Sequence, residues 1–514
     1  LTITTGYNSF ANTVYSQLQL TKINLTSYSW LNQQTKPRAM KQIRFFITIF
    51  LSIVGVLTAN KNAHAQISRN LDSLFHNLVQ ENAFNGSILI ADHGKPIYEK
   101  TFGYANLDTK KPLDRNTMFE LASVSKQFTA MAIMQLHQRG KIQYEDSLRK
   151  FFPKLPYNGV TINDLIHHSS GIPDFLGWSA KEVDISKINY NKDILASLEI
   201  NYAKTLSAPG LNTAYSNTNY VLLALIVEEV SGMTFANYLH KNIFEPIEMT
   251  HTQVYGQRYF KNKIDNYAYG YIYDKIKDKY VINDSTEKYQ YFFDGVAGPY
   301  GISSTAEDLL KWDQALYTEK LVNKREIANA FKPYLLKNNK TAKLSGLPYG
   351  FGWVINEPQK FYFHTGGYPG YATLIVRYFE KNQTIIILMN NYNRIDMFEL
   401  GSNIENIINN RGFFIPGIKR PAKVISLHAD DLAKFIGKYY FKDDSSLMYT
   451  IIHKNNRLFA QLTGQASYEI YPETESTFFY TAVDAKIIFT KDENGRVQQL
   501  TLHQNGKELD FLKK

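Results

Sequence analysis

The stretch LASVSKQFTAMAIMQL, residues 121–136, constrains this chain more than any other. Ala, Met, Leu, Ile and Phe recur along it with almost no polar face, so it must be a helix enclosed by protein. A chain that carries such a helix has to build layers around it. Gly140 follows as a natural C-terminal stop. Yet the first turn holds Ser123, Ser125 and Lys126, and a buried amine is costly unless it has partners. A hydroxyl and an amine three residues apart share one helical face, which sets a candidate nucleophile beside a candidate base.

At 514 residues the chain has room for two or three domains and an ample core. Its formal charge of +10 would suit nucleic acid or an anionic membrane. However, Lys22, Lys36, Arg38, Lys41, Arg44 and Lys61 all fall within residues 1–65, which contain no acid. The remainder is close to balanced, so no nucleic-acid partner is expected. The absence of cysteine excludes disulfides, thiolate metal sites, a cysteine nucleophile and a lipid-modified N-terminal cysteine.

From Met40 the chain reads MKQIRFFITIFLSIVGVLTANKNAHAQ. A basic stub with Lys41 and Arg44, an apolar run over 45–57 and the small-residue pattern Ala63-His64-Ala65 make the three-part form of a signal peptide. Residues 40–65 are therefore expected to be a signal peptide, cleaved before Gln66. The apolar run falls short of the about 18 residues a membrane span needs. An uncleaved anchor is the alternative. Residues 1–39, rich in Ser, Thr, Asn and Gln, read as an upstream lead without a functional part. The mature protein is expected to be exported, periplasmic or extracellular, with no stable membrane span after cleavage.

Beyond the leader, SILIADHGKPIYEKTFGYANL has two apolar runs around Asp92-His93-Gly94-Lys95 and reads as a hairpin. A long middle section of helices and loops follows, including a helical pattern on both sides of Ser231-Gly232. Strands return in YGFGWVI, KFYFHTGG, YATLIVRYF and QTIIILMNN, dense in β-branched and aromatic residues. A helix near 396–410 closes a unit expected to span 66–410. Residues 411–426, with two prolines and no clear period, read as a linker. Residues 427–514 alternate short strands with turns at Lys454-Asn455-Asn456, Glu493-Asn494-Gly495 and Gln504-Asn505-Gly506, the pattern of a small all-β domain.

Ser-x-x-Lys alone is weakly specific, and it occurs at Ser123/Lys126, Ser147/Lys150 and Ser285/Lys288. The last two sit in polar, turn-rich surroundings and read as solvated surface. Ser123 opens an apolar helix, where backbone N–H groups and the positive dipole end suit a developing oxyanion. Serine needs a base to become a nucleophile. Lysine, with an ordinary pKa of about 10.4, serves only if burial or a neighbouring cation lowers it. The alternative is a capping serine with a lysine that reaches to water.

Two further motifs favour catalysis. Tyr215-Ser216-Asn217 lies in a loop entering an apolar helix; a tyrosine can shuttle a proton, and an asparagine can bond both a lysine and a substrate amide. Tyr104-Ala105-Asn106 repeats the pattern ahead of the serine and is discounted. His364-Thr365-Gly366-Gly367 ends a strand, its polar side chains facing a substrate and its glycines admitting a substrate backbone to the strand edge. A surface strand histidine is the alternative for His364. His167-His168 could suggest a metal pair, but adjacent residues on a helix point apart, so no metal is expected.

In this order the three motifs resemble the serine β-lactamase and penicillin-binding protein superfamily. Tyr-Ser-Asn in the middle is similar to the branch of class C β-lactamases and D-alanyl-D-alanine carboxypeptidases, with esterases and D-aminopeptidases. LIHHSSGIPDF, SAPGLNTAYSNTNYVLL, IFEPIEMTHT, AGPYGISSTAEDLLKW and YGFGW add to the likeness, which covers roughly 70–410. The resemblance implies an α+β fold, an antiparallel sheet with helices on both faces, followed here by a small all-β barrel-like domain. It implies Ser123 as the acylated nucleophile, Lys126 as its proton partner and Tyr215 as second general base and acid. Asn217 would position substrate, the amides of Ser123 and Gly367 would form an oxyanion hole, and His364, Thr365 and Gly366 would meet the substrate's carboxylate or carbonyl end. No cofactor is implied.

The implied activity is hydrolysis of a peptide, amide or ester through an acyl-enzyme, the substrate being a small molecule or a peptide such as a cell-wall peptide. A class C β-lactamase and a non-catalytic penicillin-binding sensor are the alternatives. Class C β-lactamases carry lysine where this chain has His364, and a neutral imidazole brings no charge to a β-lactam carboxylate.

Overall fold

Strand β1 (Gly86–Asp92) and strand β2 (Lys95–Phe102) pair antiparallel across His93-Gly94. Those two residues have φ of 49° and 72°, the left-handed pair that a tight two-residue hairpin turn takes. The computed structural model describes residues 65–513 apart from 179–181, 202–203, 256–263, 275–278, 284–290, 393–394, 417–423, 464–466, 481–484 and 505–506. The lead over 1–39 and the signal peptide, but for Ala65, lie outside the described residues, as do part of the 411–426 linker and the Ser285/Lys288 pair.

Four later strands complete the main sheet: β3 (Val354–Asn356), β4 (Phe361–Tyr368), β5 (Tyr371–Tyr378) and β6 (Gln383–Met389). The order is β3-β4-β5-β6-β1-β2, antiparallel throughout. Leu374, Ile387 and Ile88 stand in one cross-strand row, and Ile375, Ile386 and Leu89 in the next. Adjacent rows point to opposite faces. Both rows are buried, so both faces must be covered.

Helices cover them. Leu89, Ile375 and Ile386 join the core that encloses α1 (Lys126–Gln138) and α2 (Asn217–Ser231). There α3 (Ala306–Ala315) locks onto α1, with Trp312 Nε1 donating to Gln127 Oε1 at 2.9 Å and the Phe128 and Trp312 rings 4.4 Å apart. On the opposite face the helix over residues 70–80 stacks Phe75 on Tyr98, which stands across from Ile90. Helix α4 (Met397–Ile408) brings Gly401 against Leu374 on that same face. The expected α+β layering is thus the observed one. Among the described residues no single helix is long and apolar enough to cross a membrane.

Residues 437–513 form a closed barrel of eight antiparallel strands, in which Gly437–Phe441 pairs with Lys507–Lys513. Eight strands leave an interior that side chains can fill, and Tyr439, Tyr449, Phe478, Phe489 and Phe511 fill it. Asn455 and Asn456, with φ of 51° and 61°, make the tight turn expected there, and Gly495 turns at 75°. The turn expected at Asn505-Gly506 lies outside the described residues.

Candidate active site

Ser123 sits in a 3₁₀ turn, Ala122–Ser125, that leads straight into α1 at Lys126. Residues three apart eclipse in a 3₁₀ turn, so Lys126 Nζ comes to 3.1 Å from Ser123 Oγ. The turn is strained: Ala122 has φ of 49°, which for a residue with a Cβ persists only when the surroundings enforce it. Glu120 supplies one constraint, its Oε1 accepting from the N–H groups of Ala122 at 3.0 Å and Gly301 at 2.9 Å. Thr373 supplies another, donating to the Leu121 carbonyl at 2.8 Å.

The Lys126 amine is fully buried. It contacts Asn217 Oδ1 and the Pro299 carbonyl oxygen, each at 2.9 Å, and the rings of Tyr215 and Tyr220 lie 4.8 and 5.5 Å from it. Burial pushes its pKa down to about 7, against the opposing pull of the Asp174 charge. The lysine therefore has an accessible neutral form near neutral pH, which an ordinary lysine lacks.

Tyr215 Oη donates to Ser123 Oγ at 2.8 Å. Tyr215 is 38% exposed and so borders open space, while its hydroxyl meets Ser123. Desolvation raises the phenol above its ordinary pKa, partly offset by the Ser123 hydrogen bond. Asn217 begins α2. Its backbone N–H and its Nδ2 both donate to Asp174 Oδ2, at 3.0 and 2.8 Å.

His364, Thr365, Gly366 and Gly367 lie on β4, pairing in order with Ile375, Leu374, Thr373 and Ala372 of β5. Gly367 is exposed, Thr365 half-buried, and His364 buried. A Cβ on Gly366 would collide with the Leu121 carbonyl oxygen and Thr373 Oγ1, so glycine there sets how closely the strand approaches the serine turn. Both His364 nitrogens are engaged within the protein. Nδ1 is 2.6 Å from the Thr365 carbonyl, which can only accept, and Nε2 is 3.0 Å from Tyr349 Oη. Nδ1 thus carries the proton, Nε2 accepts from Tyr349, and burial with the nearby Lys126 charge pushes the imidazole pKa down to about 3.

The structure therefore brings Ser123, Lys126, Tyr215 and Asn217 into one hydrogen-bonded cluster, with β4 alongside the Ser123 turn. Ser147, by contrast, caps a short helix by accepting from Arg149 N–H, and Lys150 pairs with Asp146 at 2.8 Å. Tyr104–Asn106 is a three-residue strand. His167 and His168 do part, but not on a helix. His167 follows the helix Ile162–Ile166 and stacks on Tyr334, whereas His168 turns with φ of 55° and stacks on Tyr215. Asp174, Glu120, His168 and Pro299 are the site components that the motifs did not name. Two stretches already noted as family-like, LIHHSSGIPDF and AGPYGISSTAEDLLKW, contain three of them, His168, Asp174 and Pro299, without marking those residues out.

The β-lactamase family model matches residues 71–401, and a domain of unknown function (DUF3471) matches 421–513. Penicillin-binding protein 4* of Bacillus subtilis is 36% identical over 453 residues, covering 87% of this chain and 98% of that protein. Protein flp of Staphylococcus aureus is 28% identical over 335 residues, 63% of each. Among solved structures, a penicillin binding protein from Bacillus halodurans superposes with a TM-score of 0.57 at 26% identity, over 65% of this chain and 98% of that one. A class C β-lactamase, at 22% identity and a TM-score of 0.54 over 68% of this chain and 96% of its own, shares the fold. With the family matched across most of the chain and the Ser-Lys-Tyr-Asn cluster assembled, the chain belongs to the β-lactamase family, whose β-lactamase and penicillin-binding members are serine hydrolases.

Proposed function

We propose that this protein hydrolyses a peptide, amide or ester through an acyl-enzyme on Ser123, and that it works outside the cytoplasm once residues 40–65 have been removed. The arrangement around Lys126 Nζ carries the reading. Asn217 Oδ1 and the Pro299 carbonyl can only accept hydrogen bonds. In the neutral amine the two N–H bonds go to them, and the lone pair is left for Ser123 Oγ. That lone pair takes the serine proton as Oγ attacks the substrate carbonyl. Tyr215, donating to the same oxygen, is set to pass a proton to the leaving group. In the second half-reaction a water gives a proton to the same pair as its oxygen bonds to the acyl carbon. The bond to Ser123 Oγ breaks as Oγ takes a proton back from the pair, releasing the acid.

His364 bears on substrate class. It is neutral, and both of its nitrogens are occupied. The position therefore offers a substrate carboxylate no positive charge, which favours neutral esters and amides, or peptides held by their backbone, over β-lactams. The D-amino acid amidase of Ochrobactrum anthropi shares the fold and illustrates an amide substrate on this scaffold.

A fluorophosphonate probe should label the full chain on Ser123, and Ser123→Ala should abolish labelling and turnover together. Short p-nitrophenyl esters should be cleaved faster than nitrocefin, with D-alanyl-D-alanine peptides, which also carry a carboxylate, as the third substrate compared. Full activity in the alanine variant would end the acyl-enzyme reading. A strong preference for nitrocefin would favour the β-lactamase alternative, and labelling without turnover of any of the three would favour the sensor. Exported protein should begin at Gln66 by N-terminal sequencing.

A further inference from the structure

His168 is fully buried and pays twice for its place. Its φ of 55° is uncommon for a residue with a Cβ, and its Nε2 has no hydrogen-bond partner among the described residues. Packing in the apolar core explains neither, because a leucine or phenylalanine would incur no orphaned donor.

His168 touches one loop three times in succession. Its carbonyl oxygen accepts the Ala214 N–H at 2.9 Å. Its ring stacks on Tyr215, with centroids 4.4 Å apart and planes inclined by 27°. Its Nδ1 accepts the Ser216 N–H at 3.1 Å, which places the ring proton on Nε2. The left-handed backbone conformation is compatible with carbonyl and side chain both serving the same loop. The His168 ring is hemmed in by Tyr220 and Tyr349, at 5.2 and 5.0 Å, so it has no room to swing aside. Tyr215 in turn must hold its hydroxyl 2.8 Å from Ser123 Oγ from a residue that is 38% exposed.

We propose that His168 is a positioning residue for the reaction, gripping residues 214–216 so that the Tyr215 hydroxyl stays on the nucleophile. This rests on the reading of Ser123 and Tyr215 given above. The imidazole acts as a hydrogen-bond acceptor and a stacking plate, and exchanges no proton with substrate.

Two substitutions separate its contacts. In His168→Asn, Oδ1 takes the place of Nδ1 and the residue tolerates positive φ, but the stacking ring is gone. In His168→Phe the ring remains and the acceptor is gone. The rate of Ser123 labelling by a fluorophosphonate probe on the full chain, with kcat and KM for a p-nitrophenyl ester, reads the effect. Each variant should label about tenfold to a hundredfold more slowly, because a displacement near 1 Å costs that much, and the loss should fall on kcat more than on KM. In a Tyr215→Phe background the same substitutions should cost less than about threefold, since the group they position has already been removed.

Equal losses in the two backgrounds, tracking a fall in melting temperature, would show a merely structural residue and overturn the proposal. So would labelling of His168→Asn and His168→Phe at the wild-type rate. If wild type itself resists the probe, the hydrolase reading fails and this inference with it.

Discussion

Asp174 Oδ2 accepts two hydrogen bonds from Asn217, one from its backbone N–H at 3.0 Å and one from its side-chain Nδ2 at 2.8 Å. A carboxylate can only accept, so this pairing fixes which way the Asn217 amide points. Its oxygen is thereby turned to Lys126, 2.9 Å away. One acidic residue thus decides that the lysine meets an acceptor at that side.

The lysine should leave its mark on the pH profile. Its folded pKa of about 7 lies below the ordinary value, and the base is the deprotonated form. Activity should therefore rise with pH through about 7 and level off above it, falling roughly tenfold per unit on the acid side. Lys126→Arg keeps a cation that cannot be deprotonated, so it should lose about a hundredfold to ten-thousandfold above about pH 7. The gap should narrow as pH falls and the wild-type lysine is protonated. A kcat/KM profile from pH 5 to 9 for both proteins tests this.

Asp174 holds the Lys126 pKa up against burial. In Asp174→Asn that pull is gone, so the acid limb should move to lower pH. The maximal rate should also drop by about tenfold, because Asn217 loses its fixed orientation. A limb that stays in place would mean the carboxylate is not felt at the amine.

Gly366→Ala should be costly for a site it does not itself chemically serve. The added methyl meets the Leu121 carbonyl and Thr373 Oγ1, so β4 must retreat from the serine turn. Overpacking of this kind costs about 1–3 kcal/mol. A denaturant titration should show that loss, and Ser123 labelling should slow with it.

His364→Lys tests substrate choice. A lysine there adds a charge beside Lys126, so the acid limb should shift further down. It also offers an ionic hydrogen bond to a carboxylate, worth roughly 1.5–3 kcal/mol. The ratio of kcat/KM for nitrocefin to that for a neutral ester should rise. Tyr349 loses its acceptor at Nε2 in the same change, which will temper the gain.

The four residues of the hydrogen-bonded cluster were legible because each motif is short and local. Ser123 and Lys126 are separated by one turn, and Tyr215 and Asn217 flank one residue at a helix start. The hairpin at His93-Gly94 and the end of α2 at Gly232, with φ of 68°, were legible for the same reason. Asp174 and Pro299 were not, since each reaches the site from a loop without periodicity and acts on a residue far away in sequence. His168 was passed over because the pair with His167 was weighed only as a metal site on a helix. Nothing in two adjacent histidines shows that one has a left-handed backbone. His364 was read as facing substrate, and its engagement by Tyr349 and the Thr365 carbonyl depends on a tertiary contact that strand alternation does not reveal.

The sheet order has a consequence for how the chain is made. Gly86 of β1 pairs with Met389 of β6, roughly 300 residues later, and such distant pairing delays folding because loop closure must come first. While the ribosome is still upstream of residue 383, the first hairpin has no further strand to pair with, only the preceding helix to stack on it through Phe75, and an isolated hairpin is marginal in water. The barrel repeats the arrangement on a smaller scale, its first strand waiting for the final one. The main sheet and the barrel are thus each joined up by strands at their own C-terminal ends, and truncation shortly before residue 383 or 507 should leave the corresponding sheet incomplete.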